Sequence, residues 1–515
     1  MRGILRELLR RCGARHIEVA ANGIEALNVL RRGKCDVILC DYHLGAGKNG
    51  QQILEEARHD GLVSASTIWI MVTAEKTADM VMGAVEHQPD DYLLKPVSEA
   101  TLQSRLAKLI GRKAALAGIA AAMRAKEYQK AIDLCKARLE QDPTSSMEIL
   151  RIQADLYLNL GQPEKAGSLF DAVLARRDVP WARVGMAKLH IHRGHFSRAR
   201  ETLEQLVGDY PNYLEAYDVL AHTYQRQGAW SDAQRVLHHA VMVSPNSSQR
   251  QSALGESALH CDDLDIAVSA YQKALKLAAR TTYKTPEPYL GLARVYTAQN
   301  KPGEALKLLS QLSIDIDNDE ARLQGKAAEV RVHHVSGNTQ LAEAAARDVA
   351  ARIQSGTQNL SPAATLNLAE TFMLMGNKET ASKLLQFVVL NNHEDEELAS
   401  RVLEVFEKGG MGDEGRALVK TTRQQATESM NQGVRLASQG KLSEALEFLN
   451  EAKSLMPRNP RLLLNHAYVV IALMQKGGWR HDMDNDARRS ILTARQISPG
   501  EKRCGELLAK LETLR

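Results

Sequence analysis

Three side chains of different chemistry close three short apolar runs in the first hundred residues. Asp41 follows Val37-Ile38-Leu39-Cys40, Thr73 follows Ile70-Met71-Val72, and Lys95 follows Tyr92-Leu93-Leu94, with Pro96 next. A carboxylate, a hydroxyl and an ammonium gathered at one rim can carry phosphoryl transfer. The carboxylate attacks phosphorus as a nucleophile, and the other two groups bind the oxygens of the acyl phosphate that forms.

The three gather only if their runs lie side by side. Short β-rich runs at Ile17 to Ala20, Val37 to Cys40, Thr67 to Val72 and Tyr92 to Leu94 alternate with helical stretches, which predicts a parallel sheet covered by helices. In such sheets functional residues collect at the carboxyl ends of the strands. Met1 to Cys12 reads as the first helix, and Ser98 can cap a last helix carrying Leu102, Leu106, Leu109 and Ile110.

From Met1 to about Arg112, with Val72-Thr73-Ala74, Asp91-Tyr92 and Lys95-Pro96 as its motifs, the chain resembles the receiver domain of bacterial two-component response regulators. The resemblance implies that Asp41 is the phospho-acceptor, Thr73 and Tyr92 are switch residues, and Lys95 contacts phosphate ahead of a cis bond to Pro96. It also implies a histidine kinase or phosphotransfer protein as partner and Mg²⁺ as cofactor. Family receivers begin with a strand ending in two acidic residues that hold the metal. Here that strand and its acidic pair are absent, leaving Asp41, the His43 backbone carbonyl and water as ligands. In the doubly wound order that strand is central, so two strand edges should lie open. The expectation is a true start upstream of Met1; the competing reading is a degraded receiver that no longer handles phosphate.

After residue 112 the pattern changes. In Leu214 to Asn246, Tyr217, Leu220, Ala221 and Tyr224 share one helical face, Gly228 ends that helix, and Trp230, Ala233, Leu237 and Ala240 repeat the spacing until Pro245. The small residue of the second helix recurs as Ala131, Ala166, Ala199, Ala233, Ala267, Ala305, Ala342, Ala381, Ala445 and Ala487, with early steps of 35, 33, 34 and 34 residues. Gly161, Gly194, Gly228, Gly376 and Gly440 each precede their alanine by five residues, and Pro143, Pro211, Pro245, Pro457 and Pro499 each follow by twelve. This phasing resembles the tetratricopeptide repeat (TPR) family, whose short helix pairs must stack to bury their apolar faces. Later steps lengthen, and a 64-residue gap between Ala381 and Ala445 leaves room for one degenerate pair at about Glu396 to Lys408 and Glu414 to Thr427.

Composition limits the function classes. A net charge of +4 on 515 residues makes no case for nucleic-acid binding by charge, and only 4% of residues are aromatic. The six cysteines show no paired ligand spacing, which suits a reducing compartment. The longest apolar run, Leu462 to Met474, is broken by Asn465 and His466 and is too short to span a bilayer. A cytoplasmic protein is expected. Gly45 to Gly50 matches a dinucleotide fingerprint but reads as a loop beside Asp41, and Gly409 to Glu414 reads as a turn between helices rather than a cyclase signature. His190, His192 and His195 read as core or surface residues rather than ligands.

The expected architecture is an α/β receiver, a doubly wound parallel sheet lacking its first strand, at residues 1–112. An all-α TPR solenoid of about ten helix pairs follows at 113–499, with a capping helix at 500–515. No Pro/Gly-rich linker separates receiver and array, so the last receiver helix should run into the first repeat. The expected function is a response regulator that takes phosphate on Asp41 and signals by protein binding through the array, without enzymatic turnover and without DNA. The alternatives are a constitutive scaffold with a vestigial receiver, and an RNA-binding helical array.

Overall fold

The computed structural model describes residues 2–33, 35–44, 48–63, 67–74, 89–141, 146–279, 284–356, 360–498 and 501–514. The chain forms two compact units, residues 1–158 with 162–295, and residues 159–161 with 296–515.

The first unit begins with α1 (Arg2–Arg11), α2 (Gly23–Arg32), β1 (Val37–Asp41), α3 (Gly50–His59), β2 (Ile68–Thr73), β3 (Asp91–Leu94) and α4 (Glu99–Arg124). The strands are parallel in the order β1-β2-β3, with Asp41 beside Val72 and Thr73 beside Leu94. All six residues of β2 are buried because helices cover both faces of the sheet. Leu27, Ile53, Leu54, Trp69 and Met71 form the core under α2 and α3. Ile70, Val72, Leu93, Leu102 and Leu106 form the one under α4.

One sequence expectation fails here. Ile17 to Ala20 forms no strand, because no described strand lies beside it to complete its backbone hydrogen bonds; β1 is the half-exposed edge of the described sheet. Ile110 is 54% exposed, because Leu102, Leu106 and Leu109 already complete the face of α4 that meets the sheet. Helix α4 does run on as expected. Capped by Ser98, it continues for 26 residues, and Ile119 and Ala122 in its second half are buried.

Helix pairs then stack through Ser146–Asn159 and Pro163–Leu174, Pro180–His192 and Phe196–Asp209, Leu214–Arg226 and Trp230–Val243, and Ser248–His260 and Leu264–Ala278. All ten alanines of the sequence ruler are fully buried. The five glycines before them adopt left-handed backbone, with φ from 62° to 77°. Lys126, Asp262 and Asn300 take the same conformation at the same distance before their alanines, at 58° to 60°. The turn therefore follows from helix packing, and glycine merely fits it best. Pro143 and Pro499 lie outside the described residues.

In the second unit the degenerate pair is Glu396–Lys408 followed by Gly412–Ser438. The second helix is 27 residues long, so it fuses with the first helix of the next pair rather than ending near Thr427. Gly410 adopts the turn conformation and buried Gly415 takes the alanine's place, where a Cβ would meet Phe406 at 2.6 Å. Gly409 to Met411 is thus an inter-helix turn, and Gly412 to Glu414 open the helix that follows it.

Close packing gives one prediction. Gly291 faces the ring of buried Tyr271, and a Cβ there would lie 2.2 Å from Cζ. Gly291→Ala should destabilise the first unit by roughly 2 kcal/mol, since overpacking outweighs alanine's helix preference. At Gly303 a Cβ meets nothing within 4 Å, so Gly303→Ala should be neutral or mildly stabilising in the same denaturation experiment. Equal effects at both positions would contradict this packing account.

Candidate functional site

Asp41 ends β1, Thr73 ends β2, and Lys95 follows β3, so the sheet register alone brings the three to one rim. Lys95 Nζ donates to Asp41 Oδ2 at 2.5 Å, and the His43 backbone N–H donates to Oδ1 at 3.2 Å. The Lys95 N–H donates to the Thr73 carbonyl at 2.7 Å, and the Lys95–Pro96 peptide is cis. Thr73 is buried, whereas the Asp41 and Lys95 side chains keep 27% and 19% exposure. The carboxylate is therefore open to solvent.

The chain after Asp41 folds back on the strand end. The Gly50 N–H donates to the Tyr42 carbonyl at 2.9 Å, and a Cβ at Gly50 would sit 2.4 Å from the Asp41 carbonyl oxygen. That contact explains a glycine at the start of α3, where Asn49 caps the helix. Residues 45–47 of the glycine motif lie outside the described residues. Buried Glu56 on α3 pairs with Lys48 and Arg31 and anchors the end of this loop.

Tyr92 points away from solvent. Its ring packs on the core under α2 and α3, and its hydroxyl is buried with no hydrogen-bond partner among the described residues. Burial pushes the phenol well above its ordinary range, with Tyr42 adding to the rise and Arg58 opposing it. A phenol held this way costs free energy that an outward position would recover.

The rim does not fit a Mg²⁺ site as described. Magnesium prefers six oxygen ligands. Among the described residues one carboxylate faces the rim, with both oxygens already accepting hydrogen bonds, and no cluster of three His, Cys, Asp or Glu occurs. His190 and its neighbours form no such cluster either.

Sequence reasoning missed the other end of β3. The Asp90 side chain, only 7% exposed, accepts from the Trp69 N–H at 2.8 Å, from Arg112 Nη2 at 3.0 Å and from Lys113 Nζ at 2.8 Å. The signal available was the Arg112-Lys113 pair directly after the apolar face of α4 ends.

In the second unit, the helices Gly412–Ser438, Pro460–Gly477 and Lys502–Glu512 line a cavity of about 400 Å³. Val434 and Tyr468 stand exposed in it, Lys510 Nζ lies 5.9 Å from the Tyr468 ring centre, and Arg503 Nη2 donates to Asn465 Oδ1 at 2.9 Å. An aromatic and aliphatic surface edged by cations suits protein contact.

A carboxylate, a hydroxyl and an ammonium on the rim of a parallel sheet, followed by stacked helix pairs, define a receiver joined to a repeat array. The response regulator receiver domain family matches residues 1–107, and the tetratricopeptide repeat family matches residues 151–213. The chemotaxis protein CheY-3 of Vibrio cholerae is 30% identical over 112 residues, 22% of this chain and 85% of that protein. The chain belongs to the response regulator receiver family and carries tetratricopeptide repeats after its receiver. The cellulose synthase operon protein C of Pseudomonas fluorescens is 25% identical over 279 residues, which cover 49% of this chain and 21% of that protein. A solved tetratricopeptide repeat protein from Parabacteroides merdae, 12% identical with a TM-score of 0.35, aligns over 46% of this chain and 92% of its own. No described helix is long and apolar enough to cross a membrane.

Proposed function

We propose that the protein is a phosphorelay response regulator: Asp41 accepts a phosphoryl group from a kinase or phosphotransfer phosphohistidine, and the repeat array delivers the signal by binding a protein. The observation that carries this reading is the 2.5 Å contact between Lys95 Nζ and Asp41 Oδ2 at a solvent-open rim. In the transfer, a carboxylate oxygen bonds to phosphorus as the P–N bond of the phosphohistidine breaks, and the imidazole leaves with the electron pair. The Lys95 ammonium offsets charge on the phosphoryl oxygens, and Thr73 stands where its hydroxyl can follow one of them. Tyr92 then moves with β3.

Receiver domains generally bind Mg²⁺, whereas the described rim of this chain offers one carboxylate. That same observation favours a second reading, a constitutive scaffold whose receiver serves as a docking face. Incubating the full chain with acetyl phosphate, with and without Mg²⁺, separates the two by intact mass. A gain of one hydroxylamine-sensitive phosphoryl group supports the first reading; no gain under either condition leaves the scaffold.

The binding function of the array rests on its stacked helix pairs and on the cavity at Val434 and Tyr468. Cations of the array pair with its own carboxylates, as Arg151 and Lys188 do with Glu215, which does not favour a polyanion such as RNA.

A further inference from the structure

We infer that Asp90 is the buried pin of an ionic latch that ties β3 to the first repeat helices, so that a shift of β3 is carried into the array. The trigger rests on the phospho-acceptor reading of Asp41, whereas the latch itself belongs to the resting protein.

A carboxylate removed from water must be compensated by hydrogen bonds and opposite charge. Asp90 obtains both across elements. Its Oδ2 holds the Trp69 N–H at the start of β2, and its Oδ1 holds Arg112 and Lys113. Those two cations sit beyond Leu109, the last α4 residue packed on the sheet, in the stretch of helix that goes on to bury Ile119 and Ala122 among the repeats. Arg112 also reaches outward, its Nε lying 3.9 Å from Glu148 Oε2 on Ser146–Asn159. One buried carboxylate thus joins the sheet to the continuous helix, and Arg112 extends the link toward Ser146–Asn159.

Its place along the strand matters. Asp90 precedes Tyr92 by two residues, just before the start of β3. A movement of β3 that releases Tyr92 from its core must also pull on Asp90. The neighbouring pair of Arg105 with Asp91 joins the same two elements, but the Arg105 side chain is 50% exposed, and a solvated pair of this kind couples little. It serves as an internal control.

Hydrogen exchange on the full chain tests the latch. Asp90→Asn keeps an acceptor for the Trp69 N–H and removes the charge. Exchange at residues 110–124 and 146–158 should rise about ten-fold while β2 amides stay protected, and Arg105→Met should leave both segments unchanged. If Asp90→Asn also exposes β2, Arg112→Met decides, with faster exchange at 110–124 and 146–158 while β2 stays protected. Rates within two-fold of wild type in Asp90→Asn with the sheet intact, or in Arg112→Met, would overturn the latch. In a second arm, acetyl phosphate should change exchange at 146–158 in the wild type, and in Asp90→Asn the phosphoryl mass gain should persist without that change. A change retained in Asp90→Asn refutes transmission through Asp90. No mass gain in the wild type refutes the acceptor reading, and the first arm still judges the latch.

Discussion

Replacing Asp41 with Asn is expected to abolish phosphoryl incorporation from acetyl phosphate or from a phosphohistidine donor, with intact mass as the readout. An amide oxygen carries no full negative charge, and its adduct with phosphorus does not persist, so the loss should be complete rather than partial. Lys95→Met should be less severe. It keeps the nucleophile but removes the cation 2.5 Å away, and losing one such electrostatic contact typically slows a reaction by about 10²- to 10³-fold. Both variants leave the buried faces of β1 to β3 untouched, so circular dichroism and repeat-array exchange should match the wild type. A phosphoryl group still carried by Asp41→Asn would place the acceptor elsewhere and end the rim's claim to this chemistry.

The rim was legible because its geometry follows from strand order. Once three apolar runs were read as parallel strands, the residues at their carboxyl ends had to converge, and Asp41, Thr73 and Lys95 do. The repeats were legible through a steric constraint, since a fully buried small residue tolerates few alternatives, and the ruler alanines show it. Other features depend on partners distant in the chain. Nothing around Asp90 announces that it will be sealed under Arg112 and Lys113, because the contact spans more than twenty residues and forms only when α4 continues past the sheet. Ile17 to Ala20 has the composition of a strand, yet composition does not supply a neighbour to pair with. Lys126, Asp262 and Asn300 escaped the glycine pattern for a related reason. The turn conformation is imposed by the two helices it joins, and their burial outweighs the local cost at a residue with a Cβ.

Asn465 and His466, which look in sequence like mere interruptions of an apolar run, lead to the other large expected effect. His466 is fully buried in the second unit, between Asn450 Oδ1 at 2.9 Å from Nε2 and Ser490 Oγ at 3.1 Å from Nδ1. In the neutral ring Nε2–H donates to Asn450, and Nδ1 accepts from the Ser490 hydroxyl. Protonation would turn Nδ1 into a donor facing that hydroxyl. Burial, aided by Lys453, pushes the imidazole down to about 4 from an ordinary 6.5, against an opposing pull from Asp486. Lys453 Nζ already holds Asp486 at 2.8 Å, so that carboxylate is shared. Above pH 6.5 the ring is neutral in both folded and unfolded chains, and its contribution to stability is fully present. As pH falls from 6.5 towards 4 the unfolded chain binds a proton that the folded one refuses, so stability declines by roughly 3 kcal/mol before levelling off. In a stacked array the loss should concentrate in the helices that hold the ring, Leu442–Leu455, Pro460–Gly477 and His481–Ile497. Urea denaturation followed by hydrogen exchange in these helices, at pH 7 and at pH 4.5, measures it, and His466→Gln should remove most of the difference between the two. If that variant keeps the full acid sensitivity, the sensitivity comes from carboxylates elsewhere, and His466 is only a packed polar group.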